Sequence, residues 1–587
     1  MKKFVYLLTK KNKKSIVLFI ILNILLVFVE TFSIALIPLV VDFAISENPL
    51  LPQYLTIFEN VMESNNKKDI LLMGSIFFII LFVFKNIYVI SIIAFQANLY
   101  KNFSRQIKRK FFNLYINAPF EIINNYNSSQ ILRNTEQETT NYLNNFFFIL
   151  KSFKDLFLFL SIFSLLLFVD FKSTLISLIT LLFLLFFYFF LFFQKLKKLG
   201  EDSLSAKNHF FKMLLQSLSS IKNVKILKKE DLILDKFLDK VNVFENARKK
   251  INIISAIPNS LFEVAFVIAI FSLIIIVSDT EIENFLPIIS LYVVSFLRLL
   301  PIFSRVGQTL STLRSSYPSV LHLNNEIQKL EKFTKEETKN FNKNTNLSFK
   351  ENIKLDNISF KYLKGNKPVI ENLNLSIKKG VAIGLVGKSG SGKSTLINLI
   401  CGLLSPSKGA IMADGVDISE NITNWQKRIG LVPQENYLLD DTVLNNIVFL
   451  DEEKNINQEK LNNAVYYSGV SEFVNQLDKG LETTVGERGS SLSGGQIQRI
   501  ALARILYQDP DILILDEFTN SLDPESEGFI LKKLQLLKKE KNKNFFIITH
   551  KIKPLKLCEE ILVLDNGKIS KSYNFENFFK ELGFLYN

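Results

Sequence analysis

Apolar residues fill the first 310 or so positions in runs far longer than the cores of soluble proteins need. The run Leu181-Leu182-Phe183-Leu184-Leu185-Phe186-Phe187-Tyr188-Phe189-Phe190 has no polar interruption beyond one tyrosine hydroxyl. A membrane-spanning helix takes about 20 mostly apolar residues. Six stretches meet that length, at roughly 16–41, 70–97, 146–169, 173–193, 252–278 and 285–308. Buried core helices are the alternative, and the density of Leu and Phe argues against them. From about residue 345 the pattern changes to short apolar runs bounded by Gly, Asn and Lys, as in a soluble α/β protein. The expected division is a membrane domain over 1–330, a polar linker over 331–352 and a soluble domain over 353–587.

Polar segments between the apolar runs predict orientation, because short cytoplasmic loops carry an excess of Lys and Arg. The N-terminus holds Lys2, Lys3, Lys10, Lys11, Lys13 and Lys14. The segment after the second span holds Lys101, Arg105, Lys108, Arg109 and Lys110, and the one after the fourth holds Lys195, Lys197 and Lys198. These face the cytoplasm. The loop with Asp279, Glu281 and Glu283 is acidic and faces outward. The net charge of +14 is explained by this bias and does not call for nucleic acid. The first apolar stretch, Ser15 to Val41, exceeds a signal-peptide core and reads as a retained span. Leu51, Leu55, Phe58 and Met62 fall near helical spacing. They read either as an amphipathic helix on the outer membrane face or as an ordinary helix packed on the spans. Two polar, helix-favouring stretches, about 98–145 and 194–251, extend the spans into the cytoplasm. Their turns, near Ala118–Ser128 and Leu218–Asp235, are candidates for contact with the soluble domain.

Charges inside the spans are costly and therefore informative. Lys85 sits near the middle of the second span. Glu30, Lys154, Asp155, Glu263 and Arg298 also lie in or near apolar runs, and Arg305 follows Arg298 by seven residues, on the same helix face. Lys85, Arg298 and Arg305 either line a watery cavity that takes an anionic substrate or pair internally, for example Lys85 with Glu30 or Glu263.

The soluble domain carries chemistry. After the apolar strand Ile383–Val386 comes Gly387-Lys388-Ser389-Gly390-Ser391-Gly392-Lys393-Ser394-Thr395. This fits a phosphate-binding loop, in which glycines let backbone amides crowd around phosphate oxygens at a helix N-terminus. Lys393 is placed to meet the β- and γ-phosphates of ATP, and Ser394 to ligate Mg²⁺. The strand Ile512–Leu515 ends in Asp516 and Glu517. Asp516 suits Mg²⁺, and Glu517 suits a general base or an orienter of the attacking water. The expected fold is thus an α-helical membrane domain of six transmembrane helices fused to an α/β P-loop NTPase domain.

Leu492-Ser493-Gly494-Gly495-Gln496 resembles the signature of ATP-binding-cassette proteins, and the family's other motifs follow in order. The resemblance implies that Ser493, Gly494 and Gly495 cover the ATP held by a second copy. It makes Tyr362 the aromatic that stacks on adenine, and Gln434 the residue that reaches Mg²⁺ and the attacking water. His550 becomes the γ-phosphate histidine, and Asn520-Ser521-Leu522-Asp523 the loop that communicates across the dimer, with Asp523 near ATP. Asn520 and Ser521 depart from the Ser-Ala pair common in relatives. Val485-Gly486-Glu487-Arg488-Gly489 resembles the coupling segment of exporters, and the membrane-then-motor order is the exporter arrangement. A homodimer with two equivalent sites, ATP and Mg²⁺ as cofactors, is what the resemblance implies.

Val29-Glu30-Thr31-Phe32-Ser33-Ile34-Ala35-Leu36, Lys222-Asn223-Val224-Lys225-Ile226-Leu227-Lys228 and Leu297-Arg298-Leu299-Leu300-Pro301 are similar to lipid-linked oligosaccharide flippases of bacterial N-glycosylation. In that family, cavity cations are proposed to meet the pyrophosphate of a polyprenyl-linked sugar. Lys85, Arg298 and Arg305 resemble them, with Lys85 standing where the relative has Arg. The implied function is ATP-driven flipping of such a lipid across a bacterial cytoplasmic membrane, with the N-terminus and the motor in the cytoplasm. Exporters of another lipid, a drug or a peptide are the alternative, and a non-pumping ATP-switched regulator or channel is a further one.

Overall fold

The structure is a computed structural model, and it describes residues 10–45, 67–277, 282–340, 347–363, 365, 367–451 and 455–582. The chain divides into two compact units. One holds Met1–Asn117 and Tyr126–Glu331, the other Ala118–Asn125 and Lys332–Asn587.

The first unit is all helical. Its long helices are α1 (Lys10–Ile45), α2 (Lys67–Ile116), α3 (Thr139–Val169), α4 (Phe171–Ser219), α5 (Glu230–Val277) and α6 (Ile282–Asn340). Among the described residues, α1 to α5 each carry an apolar run long enough to cross a membrane, and α6 contributes the shorter run Ile288–Phe303. The polar stretch after Glu331 begins as helix, since α6 continues to Asn340. The stretch Leu51–Met62 lies outside the described residues.

Side-chain placement agrees with lipid as the solvent. Phe84, Phe183, Phe186 and Phe190 stand 67–77% exposed. Such a surface would be untenable in water but is the ordinary outer face of a membrane bundle. Between the helices, Val27, Ile34, Ile162, Leu181, Phe262, Leu291 and Ile302 form a buried apolar core drawn from α1, α3, α4, α5 and α6. Polar links are few and specific. Thr174 and Tyr292 share a 2.6 Å hydrogen bond between α4 and α6, and the Tyr188 hydroxyl donates to Ile254 O at 3.2 Å between α4 and α5. Asp170 breaks α3 from α4 with an extended backbone. Ahead of α3, Arg133–Glu138 widens into a π-helical stretch.

The second unit contains two sheets. The antiparallel one joins β1 (Asn352–Phe360), β2 (Ile370–Lys378), β4 (Lys408–Ala413) and β5 (Val416–Asp417) in the order β2-β1-β4-β5. The other joins β3 (Ala382–Val386), β6 (Ile429–Val432), β7 (Ile512–Asp516), β8 (Asn544–Ile548), β9 (Glu560–Asp565) and β10 (Lys568–Tyr573) in the order β10-β9-β3-β8-β7-β6. Strands β9, β3, β8, β7 and β6 run parallel, with β10 antiparallel at the edge. Strands β3 and β8 are buried along their whole length, as expected where helices cover both faces of a parallel sheet. Three helices matter below: α7 (Lys393–Ile400), α8 (Gly494–Tyr507) and α9 (Pro524–Lys541). Trp425, fully buried, donates its indole N–H to Ile400 O at 2.7 Å and fastens the end of α7.

Both candidate contact turns form short helices. Phe120–Ile123 belongs to the second unit, where the amide of Leu363 donates to Glu121 Oε1 at 2.6 Å. Ile221–Ile226 stays with the first unit and leaves Ile226 and Leu227 well exposed. Cys401 and Cys558 are buried and unbridged.

Candidate functional site

Four adjacent parallel strands, β3, β8, β7 and β6, end on one rim, and each is followed by a residue expected to act. Open α/β sheets bind ligands at this carboxyl end. The loop Gly387–Gly392 follows β3, His550 follows β8, Asp516 and Glu517 close β7, and Gln434 follows β6. The sequence placed these far apart; the sheet order makes them neighbours.

The loop after β3 is shaped by glycine. Gly387 has φ +155°, and a Cβ there would stand 2.3 Å from Leu564 O. Gly392 caps α7 in the left-handed region at φ +105°. Lys393 Nζ donates to Gly387 O at 2.7 Å and to Lys388 O at 3.1 Å, so its ammonium lies across the loop's mouth. Burial lowers the affinity of Lys393 for its proton, while the nearby Glu517 and Asp516 raise it. The Ser391 hydroxyl is buried and has no hydrogen-bond partner among the described residues. An orphaned donor, a free helix N-terminus and an ammonium around one cradle fit a polyphosphate.

Two carboxylates face that cradle. Burial, and then repulsion from Glu517, raises the pKa of Asp516, partly offset by Lys393 and His550. Glu517 sits at φ +48°, a conformation rarely taken by non-glycine residues and common at functional sites. It is held there by its own N–H, which donates to Ile548 O at 2.9 Å. Gln434 Nε2 donates to Glu517 Oε2 at 2.8 Å, and His550 Nε2 lies 3.5 Å from Oε1. Among the described residues no cluster of three or more His, Cys, Asp or Glu could hold a metal alone. That suits Mg²⁺, which binds through one or two side chains and keeps phosphate oxygens and waters as its other ligands. Ser394, Asp516 and Gln434 are the side chains that would hold it, and it would neutralise developing phosphate charge.

Tyr362 packs edge-on against Phe360, with ring centroids 4.9 Å apart, and its hydroxyl shares a 3.0 Å hydrogen bond with Thr395 Oγ1. It is thus anchored beside the phosphate loop. Ser493 caps α8 in a reciprocal capping box: its Oγ accepts from Gln496 N at 3.3 Å, and its N–H donates to Gln496 Oε1 at 2.9 Å. Among the described residues, neither Ser493 nor Gln496 hydrogen-bonds to the phosphate loop. Asp523 is engaged as the N-cap of α9, accepting from the amides of Glu525 and Ser526 at 3.1 and 2.9 Å. Arg488, in the coupling segment, takes φ +55° within a 3₁₀ turn.

Comparison with known proteins agrees with this architecture. Residues 16–299 match the family described as the ABC transporter transmembrane region, and residues 370–520 match the family described as ABC transporter. The chain belongs to the ABC transporter family. Its fold is that of a bacterial Atm1-family ABC exporter solved with ATP bound, at TM-score 0.74 and 17% identity, covering 97% of this chain and 96% of that one. An ATP-dependent lipid A-core flippase of Idiomarina loihiensis is 41% identical over 218 residues, 37% of each chain. The alpha-hemolysin translocation ATP-binding protein HlyB of Escherichia coli O6:H1 is 39% identical over 237 residues, 40% of this chain and 33% of that protein. These matches span little more than a third of the relatives' own length. This ABC transporter is a multi-pass membrane protein with an ABC ATPase domain and the helical membrane domain of an exporter.

The charges of the membrane unit fall in a different pattern from the expected pairing. Glu30 lies 3.6 Å from Lys154, not from Lys85. Glu263 is exposed and accepts from Asn259 Nδ2 at 3.1 Å. Arg305 is gripped by Asp155. Lys85 is 3% exposed and rests over the Phe82 ring at 4.1 Å, with Arg298, Glu30 and Lys154 within electrostatic reach. Of the three cations picked from the sequence, one is therefore neutralised within the fold. Sequence reasoning missed the donation of Asn520 to Glu517, although the departure of Asn520 from the family pattern was a signal for it. It named the turn near Ala118–Ser128 as a candidate contact but not the pairing of Glu121 with Leu363.

Proposed function

We propose that this ABC transporter is an ATP-driven exporter working as a homodimer. Its cargo is an anionic lipid, of the polyprenyl-pyrophosphate oligosaccharide class, flipped across a bacterial cytoplasmic membrane. The N-terminus and motor lie in the cytoplasm. Each phosphate loop holds an ATP that the partner copy's signature covers; that neither Ser493 nor Gln496 hydrogen-bonds to the phosphate loop among the described residues of one chain supports this. Gln434 and His550 flank Glu517, which takes a proton from the attacking water. Ile226 and Leu227, exposed on their short helix, offer an apolar contact for a motor domain.

The cargo class rests on one observation. Lys85 is buried at mid-span with no carboxylate at ion-pair distance among the described residues, and the cations Arg298 and Lys154 stand with Glu30 within its electrostatic reach. Two neighbouring cations in hydrocarbon cost several kcal/mol unless an anion joins them. A phosphate or pyrophosphate group supplies that anion, and a planar guanidinium grips it by two bonds. Exporters of other lipids or of peptides share the same motor, and the lipid A-core flippase and hemolysin translocator show that range among relatives.

Reconstitution into proteoliposomes decides between these cargoes. A pyrophosphate-linked polyprenyl sugar should be flipped with ATP and should stimulate hydrolysis, and Arg298→Ala should abolish both effects while basal hydrolysis survives. Flipping of the same lipid by the Arg298→Ala protein at the unsubstituted rate would remove the anionic-cargo reading.

A further inference from the structure

Glu517 has two oxygens, and the structure treats them differently. Oε2 accepts from Gln434 Nε2 at 2.8 Å and from Asn520 Nδ2 at 2.7 Å. Among the described residues Oε1 accepts no amide hydrogen bond, and His550 Nε2 lies 3.5 Å from it. A carboxylate offers about four lone-pair sites, two on each oxygen. The two amides fill those of Oε2 and leave Oε1 as the oxygen that can accept from water.

The contact from Asn520 is local and well determined. The backbone N–H of Asn520 donates to Glu517 O at 3.1 Å, closing a turn that begins on the strained φ of Glu517. The next residue is wedged in place: a Cβ added to Gly494 would stand 3.1 Å from the Ser521 Cβ, and one added to Gly495 3.2 Å from Ser521 O. The turn therefore has little freedom to carry Asn520 away. Reach also matters. An asparagine amide extends one heavy atom further from the backbone than a serine hydroxyl, and Ser is the residue the family pattern has here.

We infer that Asn520 is a positioning residue for hydrolysis: its amide, paired with that of Gln434, clamps Oε2 so that Oε1 is the proton acceptor. When water attacks the γ-phosphorus, one O–H proton passes to Oε1, the water oxygen bonds to phosphorus, and the bond from phosphorus to the ADP oxygen breaks. Asn520 touches neither phosphate nor water. It selects the oxygen that does. This rests on the reading of Glu517 as the base.

Steady-state ATPase of the full-length protein in lipid tests it. Asn520→Ser, the residue tolerated in relatives, and Asn520→Ala should each lower kcat about tenfold, with KM for ATP within about twofold. The loss should fall on kcat and spare KM, because an Oε1 turned away from the water leaves ATP binding intact. Asn520→Gln, which keeps an amide donor, should recover part of that kcat, as a role confined to holding the loop would not. Glu517→Gln separates the two readings. If it abolishes turnover while Asn520→Ser and Asn520→Ala keep the original kcat, the clamp is wrong and the base stands. If Glu517→Gln turns over normally, the base itself is wrong.

Discussion

Arg305 grips Asp155 through two nitrogens, Nη2 to Oδ1 at 2.8 Å and Nε to Oδ2 at 3.0 Å. This is the bidentate geometry that makes guanidinium–carboxylate pairs strong. It joins α6 to α3, and the Asp155 side chain is only 5% exposed. Arg305 thus holds the bundle together, and its charge is not free for cargo. Arg305→Ala should strand a buried carboxylate and cost about 3 kcal/mol of stability, less in proportion as Arg305 keeps some exposure. Thermal unfolding in detergent measures this. Arg305→Ala with Asp155→Ala should recover most of the loss, since no buried charge is then left alone. Equal losses in the single and double variants would show that the pair is not what Arg305 contributes.

Glu517→Gln keeps the size and one oxygen of the side chain but removes its basicity. ATP binding should persist, and turnover should fall by about a hundredfold or more. Nucleotide trapping on the purified protein separates the two quantities. Unchanged turnover would take the general base away from this position.

Tyr362 tests the adenine contact in two steps. Tyr362→Phe retains the ring and loses only the bond to Thr395, so KM for ATP should change by no more than about threefold. Tyr362→Ala removes the stacking surface and should raise KM about tenfold with little effect on kcat. If the alanine variant binds ATP as before, Tyr362 is a packing residue against Phe360 and nothing more.

The motor was legible in the sequence because its chemistry is local. Glycines that need special backbone angles, a lysine at a helix start and carboxylates at a strand end all sit in contiguous motifs. The sheet order then gathered Gln434, Asp516, Glu517 and His550 as the motifs implied. The membrane charges were not legible in the same way. Whether Lys85 meets Glu30 depends on how α1, α2 and α3 are rotated about their axes, and hydropathy carries no such information. Lys154 reached Glu30 first, and Asp155, one residue on and so turned to another face, reached Arg305. The likeness of Arg305 to a cavity cation did not reveal its partner.

With Asp516 as the proposed Mg²⁺ ligand, Mg²⁺ binding should be sensitive to acid. Burial and the adjacent Glu517 charge raise its pKa, so it holds a proton at a pH where an ordinary aspartate is ionised. Mg²⁺ must displace that proton. The Mg²⁺ concentration needed for half-maximal hydrolysis should therefore climb on acidification at a higher pH than an ordinary aspartate ligand would give, with Mg²⁺–ATP measured alone as the reference. For stability the sign is opposite. A raised carboxylate pKa means that the ionised form opposes folding above the unfolded pKa, so Asp516→Asn should preserve or increase the melting temperature at neutral pH while removing hydrolysis. A marked loss of stability in Asp516→Asn would contradict that assignment of cause.

Lys85 should show the same trade between function and stability more strongly. It is buried in the span, its described surroundings are the Phe82 ring and the electrostatic influence of Arg298, Glu30 and Lys154, and no carboxylate stands at ion-pair distance among the described residues. Replacing it with Met keeps the length of the side chain and removes an uncompensated charge, so Lys85→Met should raise the thermal stability of the detergent-solubilised protein, by about 1 kcal/mol or more. The same change should abolish stimulation of ATPase by a pyrophosphate-linked lipid, because half of the cation pair is gone. Lys85→Arg should restore stimulation, and the planar fork should lower the lipid concentration required. A Lys85→Met protein that is less stable yet still stimulated would mean that Lys85 serves the packing of the bundle and that Arg298 alone meets the anion.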